Sequence, residues 1–315
     1  NLFKYAEAIA GTDVPVLITG ETGTGKELMA KAIHTLSGRS GKFIDINVAS
    51  IDDAVLSDTL FGHLRGAYTG ADQSRKGLIE EAALGTLFLD EIGDLKPESQ
   101  TRLLRLLQEK TFRPLGSDAI VSSSARFVFA TNRDLKTLMK TGAFRNDLYY
   151  RLQAHEITLP PLRERLDDIK LLAHAFVDEA SREFNKPRPH INPELFPLLS
   201  TYSWPGNIRE LKGLLFDAVS RNRTDTLSLA YLKTKLKELR NEAPGRPDEI
   251  TSAMTAFDKS VRFSTTLPTA KELELMLIKE AFRRTNGNKT QAADLIGVAR
   301  ITVIRRLNEL EKTPE

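Results

Sequence analysis

An α/β domain built on a largely parallel sheet, then an all-helical domain and a small terminal helical module, is the architecture this sequence predicts. Three observations carry that reading. Short apolar runs alternate with amphipathic helical patterns through the first half of the chain, a Pro160-Pro161 pair closes the alternation, and only helical periodicity follows it. Alternation of this kind marks helices laid over the faces of a parallel sheet. At 315 residues the chain suits two or three domains, each able to bury its own core.

The first apolar run, residues 14–19 (VPVLIT), reads as a buried strand, with Pro15 tolerable because it lies near the start. A helical pattern covers 26–36, and 43–48 and 87–90 are further short strands. Over 97–108, Leu103, Leu104 and Leu107 recur at i, i+1 and i+4 on one face of a helix. Residues 126–130 add another strand, and 1–160 forms the α/β domain. Beyond the prolines, helices are expected over 166–184, 194–201, 207–221 and 227–239, so 161–240 reads as all-α. Residues 241–268 hold Pro244, Pro247 and Pro268 with scattered charge and little periodicity, the composition of a flexible linker. A compact helical module is expected over 269–315.

Forty-five basic against 42 acidic residues give a formal charge of +3, which permits nucleic-acid contact without demanding it. With no cysteine, disulfides and thiolate metal sites are excluded and a reducing compartment is compatible. The five histidines lack metal-ligand spacing, and no Ser-His-Asp or HExxH pattern occurs. No apolar stretch approaches the ~20 residues that span a bilayer and no secretory pattern opens the chain, so a cytoplasmic protein without membrane contact is expected. Asn1 begins directly in a helical pattern without an initiator methionine, which reads as a fragment lacking its upstream segment.

Chemistry concentrates in the first domain. Gly20-Glu21-Thr22-Gly23-Thr24-Gly25-Lys26-Glu27 follows the first strand and opens a helix, the arrangement of a phosphate-binding loop. Glycines let backbone amides curl around phosphate oxygens, the helix N-terminus adds positive potential, and Lys26 brings a point charge. Strict versions of the motif end in Ser or Thr, which binds magnesium; here Glu27 holds that place. Leu87-Phe88-Leu89-Asp90-Glu91 buries three apolar residues in a strand and delivers two carboxylates at its C-terminal end, where open α/β sheets bind ligands. Asp90 suits magnesium, and Glu91 suits polarising an attacking water.

Between these motifs lies Gly66-Ala67-Tyr68-Thr69-Gly70-Ala71. Its glycines free the backbone to lift and fold, while Tyr68 and Thr69 offer an apolar face and a hydrogen-bonding group at the tip. Near the C-terminus, a helix over 272–284 with Leu273, Leu277, Ala281 and Ile278 toward a core ends at Asn286-Gly287-Asn288. A short helix over 290–296, a turn at Gly297 and a third helix over 300–310 complete a helix-turn-helix pattern. Val303, Leu307 and Leu310 pack inward in that reading, which leaves Arg300, Thr302, Arg305 and Arg306 for guanine edges or phosphates. Residues 271–315 hold nine basic and seven acidic side chains, so placement rather than net charge carries this reading.

The order GETGTGKE, GAYTGA, TLFLDE and terminal helix-turn-helix resembles, over nearly the whole chain, the ATP-driven activators of bacterial RNA polymerase carrying sigma-54, the bacterial enhancer-binding proteins. That resemblance implies an AAA+ P-loop ATPase core with a parallel sheet, an all-α lid and a C-terminal Fis-type helix-turn-helix domain. It implies ATP and Mg2+ as cofactors, with an acid at the Glu27 position that leaves the metal to Asp90, phosphate oxygens and water. Asn132 resembles the sensor I residue, Asn47 the residue that hydrogen-bonds the catalytic Glu, and Arg209 the sensor II arginine at the start of a lid helix, with Pro205-Gly206 and Asn207 as its turn and cap. Arg145 and Arg151 resemble fingers that reach a neighbouring subunit's γ-phosphate; six residues apart on a helix, they point roughly 120° from one another. Residues 66–71 would contact sigma-54, with Tyr68 where Phe is usual, and the Ser/Gly-rich 113–124 resembles the insertion that supports that loop. Ala299 replaces a common capping serine and Ile304 a frequent aromatic. Implied partners are sigma-54 RNA polymerase, enhancer DNA and copies of the same chain, in a hexamer or heptamer when active and a dimer when inactive. An ATPase of the same fold with another client, and a DNA-binding repressor with a vestigial ATPase domain, stay open at this level.

Overall fold

The computed structural model describes residues 2–69, 71–242, 277–283, 285, 288–290 and 293. Residues 1–242 form one compact unit and 243–315 another. In the first unit the strands are β1 (Val16–Thr19), β2 (Phe43–Asn47), β3 (Gly62–His63), β4 (Arg75–Lys76), β5 (Thr86–Asp90), β6 (Thr111–Phe112), β7 (Val121–Ser122), β8 (Arg126–Thr131) and β9 (His155–Thr158). Its α-helices are α1 (Leu2–Ala10), α2 (Lys26–Leu36), α3 (Asp53–Phe61), α4 (Leu78–Glu81), α5 (Pro97–Glu109), α6 (Leu135–Lys140), α7 (Asn146–Leu152), α8 (Asp168–Glu183), α9 (Leu195–Ser200), α10 (Asn207–Arg221) and α11 (Leu229–Glu242).

The main sheet has the order β2-β5-β8-β1-β9, and every neighbouring pair in it is parallel. Because side chains alternate across a strand, the apolar runs read in sequence divide between two layers. Leu17, Leu87, Leu89, Phe127 and Phe129 face the helices that follow β2, β5 and β8 and carry Leu56, Leu60, Leu103, Leu107 and Leu148. Val16, Ile18, Phe88, Val128 and Ala130 face the opposite way, onto α1 and α2 through Ala6, Met29 and Ile33. The three central strands are therefore dry on both faces, which is why they appear as unbroken apolar runs. Arg126, at the start of β8, is fully buried and donates to the carbonyls of Ile9 (2.8 Å) and Ala10, closing the C-terminal end of α1.

β9 was not among the expected strands. It lies on the sheet edge with only Ile157 buried, so its apolar signal is half that of a central strand. The short β3–β4 and β6–β7 pairs are antiparallel hairpins outside the main sheet.

A second core begins at Leu162 and runs through α8, α10 and α11 by way of Val177, Leu195, Trp204, Leu211, Leu215 and Leu236. Trp204 is completely buried, with its indole N–H on the Leu199 carbonyl at 2.9 Å and its ring edge-on to Tyr202. Two expectations change here. α11 runs through Glu242, so the first two residues of the expected linker are helical. At the head of α10 the cap position belongs to Gly206, whose N–H is bonded by the Glu210 carboxylate at 2.8 Å; Asn207 turns its side chain away to other partners.

In the second unit, residues 277–283 are helical, with Ile278 and Ala281 buried. Leu277 is 49% exposed, so it does not join them in the core as the spacing suggested. Lys289, Thr290 and Ala293 are helical, in keeping with a second helix near 290. The expected third helix, with Arg300, Thr302, Arg305 and Arg306, lies outside the described residues, as do Gly70 and 243–268.

Candidate functional site

Strand order puts the C-terminal ends of β5, β8 and β1 side by side, and each motif follows one of them. Thr19 pairs with Thr131, and the Gly20 N–H donates to the Thr131 carbonyl at 3.3 Å. Gly20, Gly23 and Gly25 all have φ in the left-handed region. At Gly23 a side chain is impossible on a second ground, because its Cβ would lie 2.3 Å from the Gly206 carbonyl.

Lys26 is 6% exposed, and its ammonium donates to the carbonyls of Gly20 (3.0 Å) and Glu21 (3.3 Å) inside the loop. Burial lowers its pKa from the ordinary lysine value; Glu91 and Asp90 oppose the shift, and Arg209 adds to it. Thr24 is buried, with its hydroxyl on the Glu21 carbonyl at 2.8 Å. Glu27 lies on the open face of α2 and accepts from Lys31 at 2.6 Å.

At the end of β5, Asp90 Oδ1 accepts the Glu91 N–H at 2.9 Å. Glu91 itself has φ 56°, a left-handed backbone uncommon for a residue with a side chain. Its Oε2 accepts the Asn132 N–H at 3.3 Å, while Asn132 Nδ2 reaches Thr22 Oγ1 in the phosphate loop at 2.9 Å. Asn47 takes a different place from the expected one: its Oδ1 accepts the Ala49 N–H at 3.0 Å and caps a short 3-10 turn. Asn132, rather than Asn47, supplies the N–H that bonds the Glu91 carboxylate.

The lid closes over the same loop. Ile208 N–H donates to the Gly23 carbonyl at 3.0 Å, and the fully buried Asn207 donates from Nδ2 to the Thr22 carbonyl at 3.1 Å. Asn207 Oδ1 accepts the Leu162 N–H at 2.7 Å, and Arg165 donates to the Thr24 carbonyl at 2.8 Å. Arg163 grips Glu21 with both fork nitrogens, at 2.7 and 2.9 Å. Sequence reasoning reached Arg209 but missed Arg163, Arg165 and the side-chain role of Asn207. The only signal was a cluster of arginines directly after Pro160-Pro161.

The two finger candidates sit on α7 and its leading residue. Arg145 pairs with Asp147 at 2.7 and 3.0 Å, and Arg151 donates to the Leu107 carbonyl at 2.9 and 3.3 Å.

In the 66–71 segment, Gly66 N–H bonds the Ala71 carbonyl at 2.9 Å, and Ala71 N–H bonds that of Tyr68 at 3.0 Å. Tyr68 is 48% exposed and Thr69 is also exposed. Below the tip, the Tyr68 ring meets His63 edge-on, and buried His63 hydrogen-bonds Asp58 at 2.5 Å. Leu115 bonds Gly62 at 2.8 Å and Leu64 bonds Leu115 at 3.0 Å, so the 113–124 segment braces the base. Gly116 lies so near Ala67 that a Cβ would come within 2.7 Å of that methyl group.

Fold and site together define a P-loop ATPase of the AAA+ class with its helical lid. Residues 1–158 match a family described as the Sigma-54 interaction domain, 163–248 an AAA+ ATPase lid domain, and 269–310 the bacterial regulatory protein, Fis family. The chain belongs to the sigma-54-dependent transcriptional activators. It is 41% identical over 314 residues to the formate hydrogenlyase transcriptional activator of Salmonella typhimurium, covering 98% of this chain and 43% of that protein. Against the DNA-binding transcriptional regulator NtrC of Rhizobium meliloti it is 38% identical over 330 residues, covering 98% and 67%. The crystal structure of NtrX from Brucella abortus in complex with ADP superposes with a TM-score of 0.69 at 28% identity, covering 98% of this chain and 67% of that one. The chain thus spans less than half the length of the first of these relatives. No helix among the described residues is long and apolar enough to cross a membrane.

Proposed function

We propose that this chain is the ATP-driven and DNA-binding part of a sigma-54 activator: it binds enhancer DNA through 269–315, assembles into a ring of six or seven copies, and remodels the closed promoter complex. The observation that carries this reading is an exposed Tyr68-Thr69 tip on a braced loop, in the same domain as the phosphate loop. Its setting would be the cytoplasm.

Lys26 holds the β- and γ-phosphates against the loop amides, and Arg209 closes from the lid. Glu91 orients the attacking water, with its carboxylate fixed by the Asn132 N–H. Arg145 and Arg151 stabilise transition-state charge in the neighbouring subunit. Asn47, capped onto Ala49, stands beside Asp90 in the sheet register and acts on the catalytic Glu only after its side chain turns.

Among the described residues no cluster of three or more His, Cys, Asp or Glu could cage a metal. One carboxylate with phosphate oxygens and water is the donor set that Mg2+ accepts, so Asp90 fits the ion. When bound, Mg2+ would neutralise charge on the phosphates. Glu27 does not contribute, since Lys31 holds it on the outer face.

Loop posture would follow nucleotide state because a ligand shifts an equilibrium by its differential affinity for the two postures. The deciding experiment is promoter opening in vitro by sigma-54 polymerase with ATP, using Lys26→Ala as control. Opening by the parent and none by the variant is expected; opening confined to polymerase with other sigma factors refutes the reading. Thr69→Ala separates a different client: transcription should fail while hydrolysis persists.

A further inference from the structure

We propose that Glu21 is a positioning residue that couples phosphate occupancy to lid closure, with Arg163 and Asn207 as its lid-side partners. This rests on the reading of 20–27 as the ATP-binding loop. Glu21 joins the loop lysine to the lid through its main chain and its carboxylate. Its carbonyl, with that of Gly20, accepts the Lys26 ammonium at 3.3 and 3.0 Å. Its carboxylate accepts both fork nitrogens of Arg163 at 2.7 and 2.9 Å and Asn207 Nδ2 at 3.1 Å.

Phosphate arrival draws the Lys26 ammonium away from these carbonyls, since a dianionic oxygen outcompetes a neutral acceptor. The peptide planes at Gly20 and Glu21 are then free to tilt, and the planar fork on Glu21 converts that tilt into a pull on the segment from Leu162 to Arg165. The rest of the contact transmits it rigidly. Asn207 is fully buried and bonds Leu162 N–H at 2.7 Å and the Thr22 carbonyl at 3.1 Å, while Gly23 and Gly206 meet with no room for a Cβ. Arg163 and Asn207 come from the two ends of the lid's connection to the core, the 3-10 turn Leu162–Glu164 and the start of α10. A closed lid of this kind slows nucleotide escape.

The test uses the full chain, the fluorescent analogue N-methylanthraniloyl-ATP and stopped-flow displacement by excess ATP. Glu21→Gln and Arg163→Gln should each speed dissociation about 3- to 10-fold, the range of one half-exposed bidentate pair. Association should be unchanged, and KM should rise more than kcat falls. In the double variant the rate should not exceed that of the faster single, because both changes break one interaction. Arg163→Lys should recover only part of the loss, a point charge being unable to reproduce the fork. Lys31→Gln, which breaks the exposed pair with Glu27, should leave the rate at the parent value. Thermal unfolding without nucleotide checks that each variant folds, and Arg163→Lys carries the reading should Arg163→Gln not. Unchanged dissociation in the singles, or effects that multiply in the double, overturns the proposal. A parent protein that does not bind the analogue, or a Lys26→Ala variant that binds it fully, overturns the underlying reading of the loop instead.

Discussion

Lys26 is the side chain of the phosphate loop whose chemistry the fold alters. Its lowered pKa comes first from burial, with Glu91 and Asp90 opposing and Arg209 reinforcing. The sign for stability follows: between the lowered folded value and the ordinary one the unfolded chain binds the extra proton, so stability rises with pH across that window. Nucleotide affinity runs the other way. Phosphate prefers the ammonium form, so affinity declines once pH passes the pKa of the free protein. Titration with a fluorescent ATP analogue should show the decline setting in below the ordinary lysine value of about 10.4, and Lys26→Arg should shift it upward. An onset at or above that value contradicts the buried ammonium. Glu91 supplies a second prediction. Its side chain is tied to the Asn132 N–H on a left-handed backbone, a geometry that fixes a carboxylate over the end of β5. Glu91→Gln keeps the shape and removes the negative charge. ATP binding should persist while kcat drops about 10²- to 10⁴-fold; a kcat close to the parent's would remove Glu91 from the chemistry.

Among the elements, the lid core is the part whose integrity the site most depends on. Trp204 anchors α9 to α10 with no solvent exposure, and three and four residues further on come Asn207 and Ile208, which bond the phosphate loop. Trp204→Ala should destabilise the chain by about 3–5 kcal/mol in denaturant unfolding and weaken nucleotide binding in parallel. Loss of binding without loss of stability would mean that the ring is not the anchor. Legibility in the sequence follows the same physics. α2 and α10 carry strong helical periods with clear punctuation, and their expected ends, 26–36 and 207–221, match the structure. The strands β5 and β8, dry on both faces, announce themselves as apolar runs. β9 shows only one buried residue and went unread. The Glu91, Asp90 and Lys26 positions were legible because each belongs to a fixed motif at the C-terminal end of a strand. The Arg163–Glu21 pair was not: 142 residues separate its members, and neither spacing nor periodicity reports a long-range contact. Asn207 looked like a helix cap from its neighbours, yet the buried amide finds better partners in Leu162 and Thr22.

For the whole molecule, topology bears on whether one copy can complete its own site. All five strands run the same way, so the phosphate loop after β1 and the Asp90-Glu91 pair after β5 lie at the C-terminal edge of the sheet. Arg151 precedes β9 by only four residues, and β9 starts in register with Val16 at the opposite edge. Its guanidinium is held there by the Leu107 carbonyl near the end of α5, which has crossed back from the β5 end. A strand of four residues spans about 13 Å, and the turns at both edges lengthen the gap beyond the reach of one arginine. On that geometry Arg151 starts at the edge of the sheet away from its own phosphate loop, and a head-to-tail neighbour is the arrangement that would bring it to a phosphate. Mixing makes this measurable. Lys26→Ala disables the phosphate loop and leaves the finger; Arg151→Ala does the reverse. Each alone should hydrolyse ATP poorly. In an equimolar mixture of freely assembling copies, about one junction in four pairs an intact loop with an intact finger, so activity should reappear near a quarter of the parent's, scaled by any coupling between junctions. Arginine acting within its own chain predicts no recovery at any mixing ratio, because every copy then carries one disabled half.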